Sequence, residues 1–231
     1  MMKQKCLFIS IVLLILLFYQ KCSFAQFDQL KFGIRGGLNL ADSNYDVNEL
    51  NNEIGGTFNQ KLLPRFSVGV LTEYNFSNNF SVQLNVLYNQ KGEKFIGTIV
   101  EDFVGIIDVE VINTYNYISV PAFFKMEFFN SDARPYLIAG PELSYLLSAH
   151  QKFNLDIMVI DFDTTLVDTT IKDDVQTYEW ALNFGIGLEF PISSYRGFIE
   201  GRYGLGLTPF NREGEENNKN NIIYLNIGLI F

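Results

Sequence analysis

Cysteine is nearly absent from the sequence, which contains only Cys6 and Cys22. Both lie within the first 25 residues, so the remainder of the chain has no thiol. That remainder therefore has no disulfide framework, no thiolate nucleophile and no cysteine metal site. Histidine is equally scarce, because His150 is the only one, and a histidine-based catalytic or metal site lacks the partners that it needs.

Charged residues are few, and basic residues are the rarer kind. Only 19% of the residues are charged, and 17 basic residues stand against 26 acidic ones. This deficit of positive charge argues against nucleic acid as a partner, because phosphate backbones are bound by basic patches. The hydrophobic content of 48% also excludes a disordered chain and a coiled coil.

The first 25 residues have the pattern of a secretory signal peptide. A basic start, MMKQK, precedes the apolar run CLFISIVLLILLFYQ, and small residues at Ser23 and Ala25 favour cleavage before Gln26. The run has 15 residues, fewer than the ~18–20 that a membrane helix needs, so an uncleaved anchor is the weaker alternative. We predict a signal peptide over residues 1–25 and one domain over residues 26–231.

Beyond Gln26 the apolar residues alternate with a period of two, and no segment has the spacing of an amphipathic helix. Val82, Leu84 and Val86, for example, alternate with Gln83 and Asn85. This alternation is typical of strands with one apolar and one polar face. Eight segments share it: residues 31–40, 65–76, 79–90, 116–129, 134–147, 178–190, 197–207 and 221–231.

The composition of the polar face predicts which way the apolar face points. Glycine and charge share that face, and small residues let long charged side chains fold across a narrow barrel interior. A soluble surface has no reason to prefer glycine, which weakens strands. Aromatic residues also gather near the segment ends, as in membrane-interface girdles. An open sheet edge in lipid would leave backbone groups unpaired, so the sheet must close.

We therefore predict an all-β fold, an eight-stranded antiparallel up-and-down transmembrane β-barrel. Apolar side chains such as Val68, Leu84 and Ile227 are expected to face lipid, and Arg35 and Arg202 the interior. Short links of 2–6 residues alternate with long links of 13–30 residues, so all long links lie at one end. Some long links keep β-prone alternation, which predicts that the middle strands extend past the membrane as hairpins.

The interior charges are the strongest candidates for chemistry. Charges inside a narrow barrel must pair to offset lost hydration, so we interpret them as a neutralising network and not as an active site or an ion path. Carboxylate pairs suit acid–base catalysis, but no spacing places any two together. The residues are Arg35, Glu73, Lys125, Glu127, Glu142, Glu189, Glu200 and Arg202.

The link between the fifth and sixth segments holds two weaker candidates. His150 has no visible partner set and the chain has no G-x-S-x-G motif, so we interpret His150 as a solvated loop residue. The link is also acidic but lacks the spacing of an EF-hand, which favours a solvated loop over a calcium site. Its acids are Asp156, Asp161, Asp163, Asp168, Asp173 and Asp174. We thus predict no catalytic, cofactor-binding or metal-binding residues.

Six stretches together resemble the outer-membrane β-barrel family common in Bacteroidetes, whose members are called porin-family or PorT-like proteins. They are FGIRGGLNLAD, YISVPAFFK, RPYLIAGPELSYLL, FGIGLEF, FIEGRYGLGL and the last alternating strand, which ends at Phe231. The resemblance implies an OmpX-like barrel in the cell outer membrane, with short periplasmic turns and long external loops. It also implies that Phe231 is recognised by the outer-membrane assembly machinery.

These features predict a non-enzymatic integral outer-membrane protein with a structural or interaction role in the envelope or in adhesion. The expected partners are outer-membrane lipid and lipopolysaccharide, and an extracellular protein or surface bound by the long loops. An interior filled by side chains argues against a general diffusion pore. The alternatives are a secreted, soluble lipocalin-like barrel that binds a small ligand, an outer-membrane enzyme, and a PorT-like component of a protein secretion system.

Overall fold

The structure, a computed structural model, describes residues 29–43, 57–101, 105–128, 132–157, 162–173, 175–209 and 219–231. The predicted signal peptide, residues 1–25, lies outside this part of the chain. In the described residues, no helix is long and apolar enough to cross a membrane. The strands are β1 (Leu30–Ser43), β2 (Thr57–Lys61), β3 (Leu63–Asn75), β4 (Phe80–Glu101), β5 (Gly105–Glu127), β6 (Arg134–Ile157), β7 (Phe162–Thr170), β8 (Tyr178–Ile192), β9 (Tyr195–Gly206) and β10 (Asn220–Ile230).

Eight of these strands form a closed antiparallel ring. The order around the ring is β1, β3, β4, β5, β6, β8, β9 and β10, and β10 pairs again with β1. The closing pair runs from Gly33 opposite Ile230 to Ser43 opposite Asn220. Each strand of the ring is thus paired on both sides, which removes the open edges that lipid does not tolerate. The predicted eight-stranded barrel is confirmed.

The other two strands, β2 and β7, continue strands of the ring. β2 ends at Lys61 and β3 begins at Leu63, and both pair with β4. In the same way, β7 and β8 both pair with β6. The barrel wall therefore remains eight strands wide, and β2 and β7 lengthen it at one end only.

The middle strands are much longer than a membrane crossing requires. β4, β5 and β6 contain 22, 23 and 24 residues, whereas a tilted strand crosses a bilayer with about 9–11. The pairing of β4 with β5 continues to Glu101 opposite Gly105. The predicted extension as hairpins is confirmed for β4, β5 and β6, whereas β8 begins at Tyr178 without an extension. The links at residues 91–115 and 148–177 are thus themselves largely strand. We call this end of the barrel the hairpin end and the opposite end the turn end.

The apolar side chains face outward, as predicted. Val68, Leu84 and Ile227 expose 52%, 48% and 66% of their surface, whereas Arg35 and Arg202 are each 2% exposed. An apolar exterior around a charged interior is the arrangement of a membrane barrel and the reverse of a soluble one.

Aromatic rings mark two levels on the outer face. At the turn end, Phe76, Phe80 and Phe124 pack together with ring centroids 5.6–6.2 Å apart. Towards the hairpin end, the rings of Phe66 and Tyr88 lie 5.8 Å apart. Aromatic girdles lie at the two membrane–water interfaces, so the part of β4 after Tyr88 lies outside the bilayer.

Two glycines of the inner face make room for aromatic rings. A Cβ added at Gly187 would lie 2.2 Å from Cζ of Tyr136, and one at Gly228 would lie 2.3 Å from Cζ of Phe198. Both distances are far below van der Waals contact. At these two positions, rings from neighbouring strands therefore fill the space that a side chain would need.

Candidate functional site

Near the turn end, one lysine lies among three glutamates, and we call these four residues the Lys125 cluster. The Lys125 ammonium is 2.9 Å from Glu73 and 3.1 Å from Glu127, and it also forms an ion pair with Glu189. The carboxylate oxygens lie within 4.8 Å of one another, a spacing that also suits a metal ion. Because the ammonium lies between them, the cluster is a buried ion-pair network.

Two arginines at the turn end balance the remaining charge of the Lys125 cluster. Nε of Arg196 donates to Glu189 over 3.1 Å, and Nη1 of Arg134 donates to Glu127 over 3.5 Å. Three cations thus face three carboxylates. This arrangement supports the predicted neutralising network, because buried carboxylates cost several kcal/mol each unless they are paired.

Halfway along the interior, Arg35 forms an ion pair with Glu200. Nη1 of Arg35 also donates to Oδ1 of Asn85 over 3.1 Å. Glu200 accepts two further hydrogen bonds, from the Tyr136 hydroxyl at 3.1 Å and from Nδ2 of Asn226 at 3.4 Å. The pair joins β1 to β9 through the lumen, and its carboxylate has several hydrogen-bonding partners.

Closer to the hairpin end, the Lys91 ammonium lies 2.7 Å from Glu179 and 3.9 Å from Glu142. All three side chains are buried. Glu142 also accepts hydrogen bonds from the side chains of Ser144, Asn183 and Asn89, at 3.1, 3.3 and 3.5 Å. Charge and hydrogen bonding are therefore both satisfied at Glu142.

A small apolar cluster lies in the interior at the hairpin end. Tyr115 packs there with Leu146, Ala149 and Val175, all of them buried. The Tyr115 hydroxyl donates to Glu93 over 3.1 Å. Burial, and then the neighbouring carboxylate of Glu93, raise the pKa of Tyr115 well above that of an exposed tyrosine, so the hydroxyl keeps its proton.

All eight interior residues predicted from the sequence are buried, and the structure shows which of them meet. Glu73, Lys125, Glu127 and Glu189 form one cluster, Arg35 pairs with Glu200, and Glu142 is bound by residues not foreseen. Arg202 lies against aromatic rings.

The partners that the sequence analysis missed are Lys91, Glu93 and Glu179. A signal for the first two exists, because Lys91 and Glu93 continue the spacing of the inner face of β4 beyond Asn89. The predicted segment ended at Gln90, where the alternation of apolar residues fades and the backbone pairing does not.

The interpretation of His150 as a loop residue is wrong. His150 lies within β6, opposite Thr114 of β5 and Thr170 of β7, and its side chain is half-buried. β6 continues to Ile157 because β5 and β7 pair with it on both sides outside the membrane.

The acidic link is likewise largely strand, and its interpretation as one solvated loop is wrong. Asp156 lies in β6, Asp163 and Asp168 lie in β7, and Asp173 follows β7 on the surface. Asp161 and Asp174 lie outside the described residues. Pairing with β6 explains the difference, because it orders a segment that is too polar to be recognised as a strand from hydrophobicity.

Outside the bilayer, the strand extensions form a five-stranded sheet in the order β2, β4, β5, β6, β7, which we call the outer sheet. One face is mixed: Lys94 and Glu110 pair there at 2.8 Å with side chains 25% and 32% exposed, and Ile96 is exposed beside them. The other face is apolar and buries Phe58, Phe95 and Val109. The outer sheet is thus a packed structure.

Both sides of the outer sheet end in a strand edge. Among the described strands, β2 pairs only with β4, and β7 pairs only with β6. At β7, the side away from β6 presents backbone N–H and C=O groups, and such groups can pair with an extended segment of another chain.

The sequence matches the family model of the outer membrane protein beta-barrel domain over residues 24–212. Among solved structures, the chain is similar to Neisserial surface protein A, with 14% identity and a TM-score of 0.42 over 87% of this chain and 96% of that one. It is also similar to Ail of Yersinia pestis in complex with the heparin analogue sucrose octasulfate. The identity is 14% and the TM-score 0.36, over 87% of this chain and 97% of that one. A third similar structure is OprG from Pseudomonas aeruginosa, with 13% identity and a TM-score of 0.35 over 87% of this chain and 95% of that one. No curated protein sequence matches the chain.

Proposed function

Because the chain belongs to the outer membrane protein beta-barrel domain family, we propose that it is a non-enzymatic surface protein that contacts an extracellular partner through the outer sheet. The protein is located in the outer membrane. The hairpin end faces the cell exterior and the turn end faces the periplasm. The role that fits this arrangement is adhesion, or a contact that supports the envelope.

The length of the middle strands is the observation that carries this proposal. Ordering a residue costs roughly 1–2 kcal/mol of backbone entropy, so a structure that only anchors itself in lipid has no use for long ordered extensions. Here β4, β5 and β6 each run to 22 residues or more. Their extensions are joined by β2 and β7 into one sheet with a mixed face and two edges.

The interior supports the same assignment by a different argument. Its charged residues pair across the lumen at several levels, from the Lys125 cluster to Lys91 with Glu179. An eight-stranded barrel has an interior just wide enough for side chains to fill it. Interaction at the outer surface therefore explains the structure better than solute passage does.

The chemistry of the outer sheet suits a protein partner. The edge of β7 offers backbone hydrogen bonds to an extended polypeptide, the mode known as β-strand addition. The mixed face adds charges of both signs, such as Lys94 and Glu110, which favour register and specificity more than affinity.

A variant with a shortened outer sheet tests the proposal. Lys94 and Ile112 lie opposite each other, so residues 95–111 can be replaced by Asn-Gly, which closes a two-residue hairpin turn. This change also removes most of the strand with which β2 pairs. We expect bacteria that display the variant to adhere to protein-coated surfaces no better than cells without the protein.

The matched control places the same dipeptide in the turn Ser77-Asn78 at the other end of the barrel, and we expect its adhesion to equal that of the native protein. Heat-modifiable gel migration verifies that both variants form closed barrels in the outer membrane. Unchanged adhesion by a folded, shortened variant would show that the outer sheet is not the contact surface.

A further inference from the structure

Arg202 differs from the other buried cations of the lumen. Its guanidinium lies between two aromatic rings, 4.2 Å from the centroid of Tyr224 and 5.0 Å from that of Phe123. Arg35, Lys91 and Lys125 also lie over rings, but each of them forms ion pairs with carboxylates. Among the described residues, Nε, Nη1 and Nη2 of Arg202 have no hydrogen-bond acceptor, although the side chain is buried.

The carboxylates on either side of Arg202, those of Glu200 and Glu142, already have hydrogen-bonding partners. Towards the turn end, Glu200 accepts hydrogen bonds from Arg35, Tyr136 and Asn226. On the hairpin side, Glu142 is bound by Lys91 and by three polar side chains. The donors of Arg202 therefore require an acceptor from another source, because a buried donor without a partner costs roughly 1–3 kcal/mol.

Two buried hydrogen-bond acceptors without donors lie next to Arg202 on the inner face. Arg202 is opposite Gly185 on β8 and Tyr224 on β10, so Asn183 and Asn226 are its diagonal neighbours on the inner face. Their amide nitrogens donate to Glu142 and Glu200, respectively. The two amide oxygens are buried and, within the described part of the chain, have no donor.

We propose that water molecules are bound at this level and connect the Arg202 guanidinium to the amide oxygens of Asn183 and Asn226. Water both accepts and donates, so it satisfies the donors and the acceptors together, and a buried water typically has about three such partners. The guanidinium and the two amide oxygens are the polar groups that such water would contact. The proposal concerns the interior and is independent of the function of the outer sheet.

A free anion fits this level less well than water. An anion would accept from Arg202 but would leave the two amide oxygens without donors. The bound species is therefore neutral.

A crystal structure of the full barrel grown in sodium bromide tests the proposal directly. We expect electron-density peaks within about 3.2 Å of both the guanidinium and an amide oxygen, without anomalous scattering. An anomalous bromide peak at the guanidinium would assign the site to an anion. Density that shows only the two rings around a dry guanidinium would overturn the proposal as well.

A solution measurement keeps the test independent of crystal order. In arginine-labelled protein in lipid nanodiscs, the Arg202 Nε–H resonance is assigned by its loss in the Arg202→Lys variant. We expect magnetisation transfer from water to this proton in the native barrel. Its absence from a folded barrel, in which the partly exposed Arg134 side chain shows the transfer, would contradict bound water at Arg202.

Discussion

The Lys125→Met variant is expected to lose about 3–5 kcal/mol of unfolding free energy, the typical cost of removing one partner from a buried ion pair. Methionine keeps the length of the side chain and removes the charge that lies among Glu73, Glu127 and Glu189. Their carboxylate oxygens, within 4.8 Å of one another, would then repel in a site with little water. Urea titration in lipid vesicles, followed by gel migration and by the fluorescence of Trp180, the only tryptophan, measures the loss.

The control for this prediction is Lys94→Met. Lys94 pairs with Glu110 on the outer sheet, where both side chains are partly exposed, and an exposed pair contributes only about 0–1 kcal/mol. The carboxylate spacing adds a second readout, because calcium should restore part of the stability of the Lys125→Met variant and leave the native protein unchanged. Equal stability of the two variants would mean that the Lys125 cluster does not hold the interior together.

The Ile227→Arg variant is expected to lose about 2–4 kcal/mol in a bilayer, the cost of a basic residue on the lipid face at the membrane midplane. Ile227 lies in the middle of the apolar stretch of β10, pairs with Gly36 and Ile199, and is 66% exposed. No lumenal carboxylate is available on that face. The difference in unfolding free energy between the variant and the native protein is obtained by measuring both folding and unfolding in vesicles of short-chain lipid.

The matched control lies on the same strand and the same face. Ile223 is 50% exposed but lies four residues closer to the hairpin end, where a basic residue reaches the headgroups and costs only about 0–1 kcal/mol. A loss that is the same at both positions would show that the cost comes from the strand and not from membrane depth. A stabilised Ile227→Arg barrel would place Ile227 in water.

The barrel could be predicted from sequence because one local signal, alternation with a period of two, determines both the strands and the side that each residue faces. Val68, Leu84 and Ile227 follow it, and so do Arg35 and Arg202. The extensions of β4, β5 and β6 were only partly foreseen, because outside lipid neither face needs to be uniformly apolar. Backbone pairing then holds polar residues in strands, as it does His150 in β6.

The pairing inside the lumen could not be predicted from local sequence. Arg35 and Glu200 are 165 positions apart, and Lys91 and Glu179 are 88 apart, so their contact depends on the closure and register of the whole ring. The two-ring environment of Arg202 arises in the same way, since Phe123 belongs to β5 and Tyr224 to β10. The alternation of apolar and polar residues shows which charged residues face the interior, but the closure of the barrel determines which of them pair.

The most direct test of the account is a nitroxide scan of residues 223–229 in β10, by single cysteines in lipid vesicles. The chain after residue 25 has no native cysteine, so each label is unique. The account predicts that oxygen dissolved in the lipid relaxes labels at Ile223, Leu225, Ile227 and Leu229, and that labels at Tyr224 and Asn226 are protected. Oxygen contact at Tyr224 and Asn226, with relaxation of the Ile227 label by a water-soluble nickel complex, would contradict it.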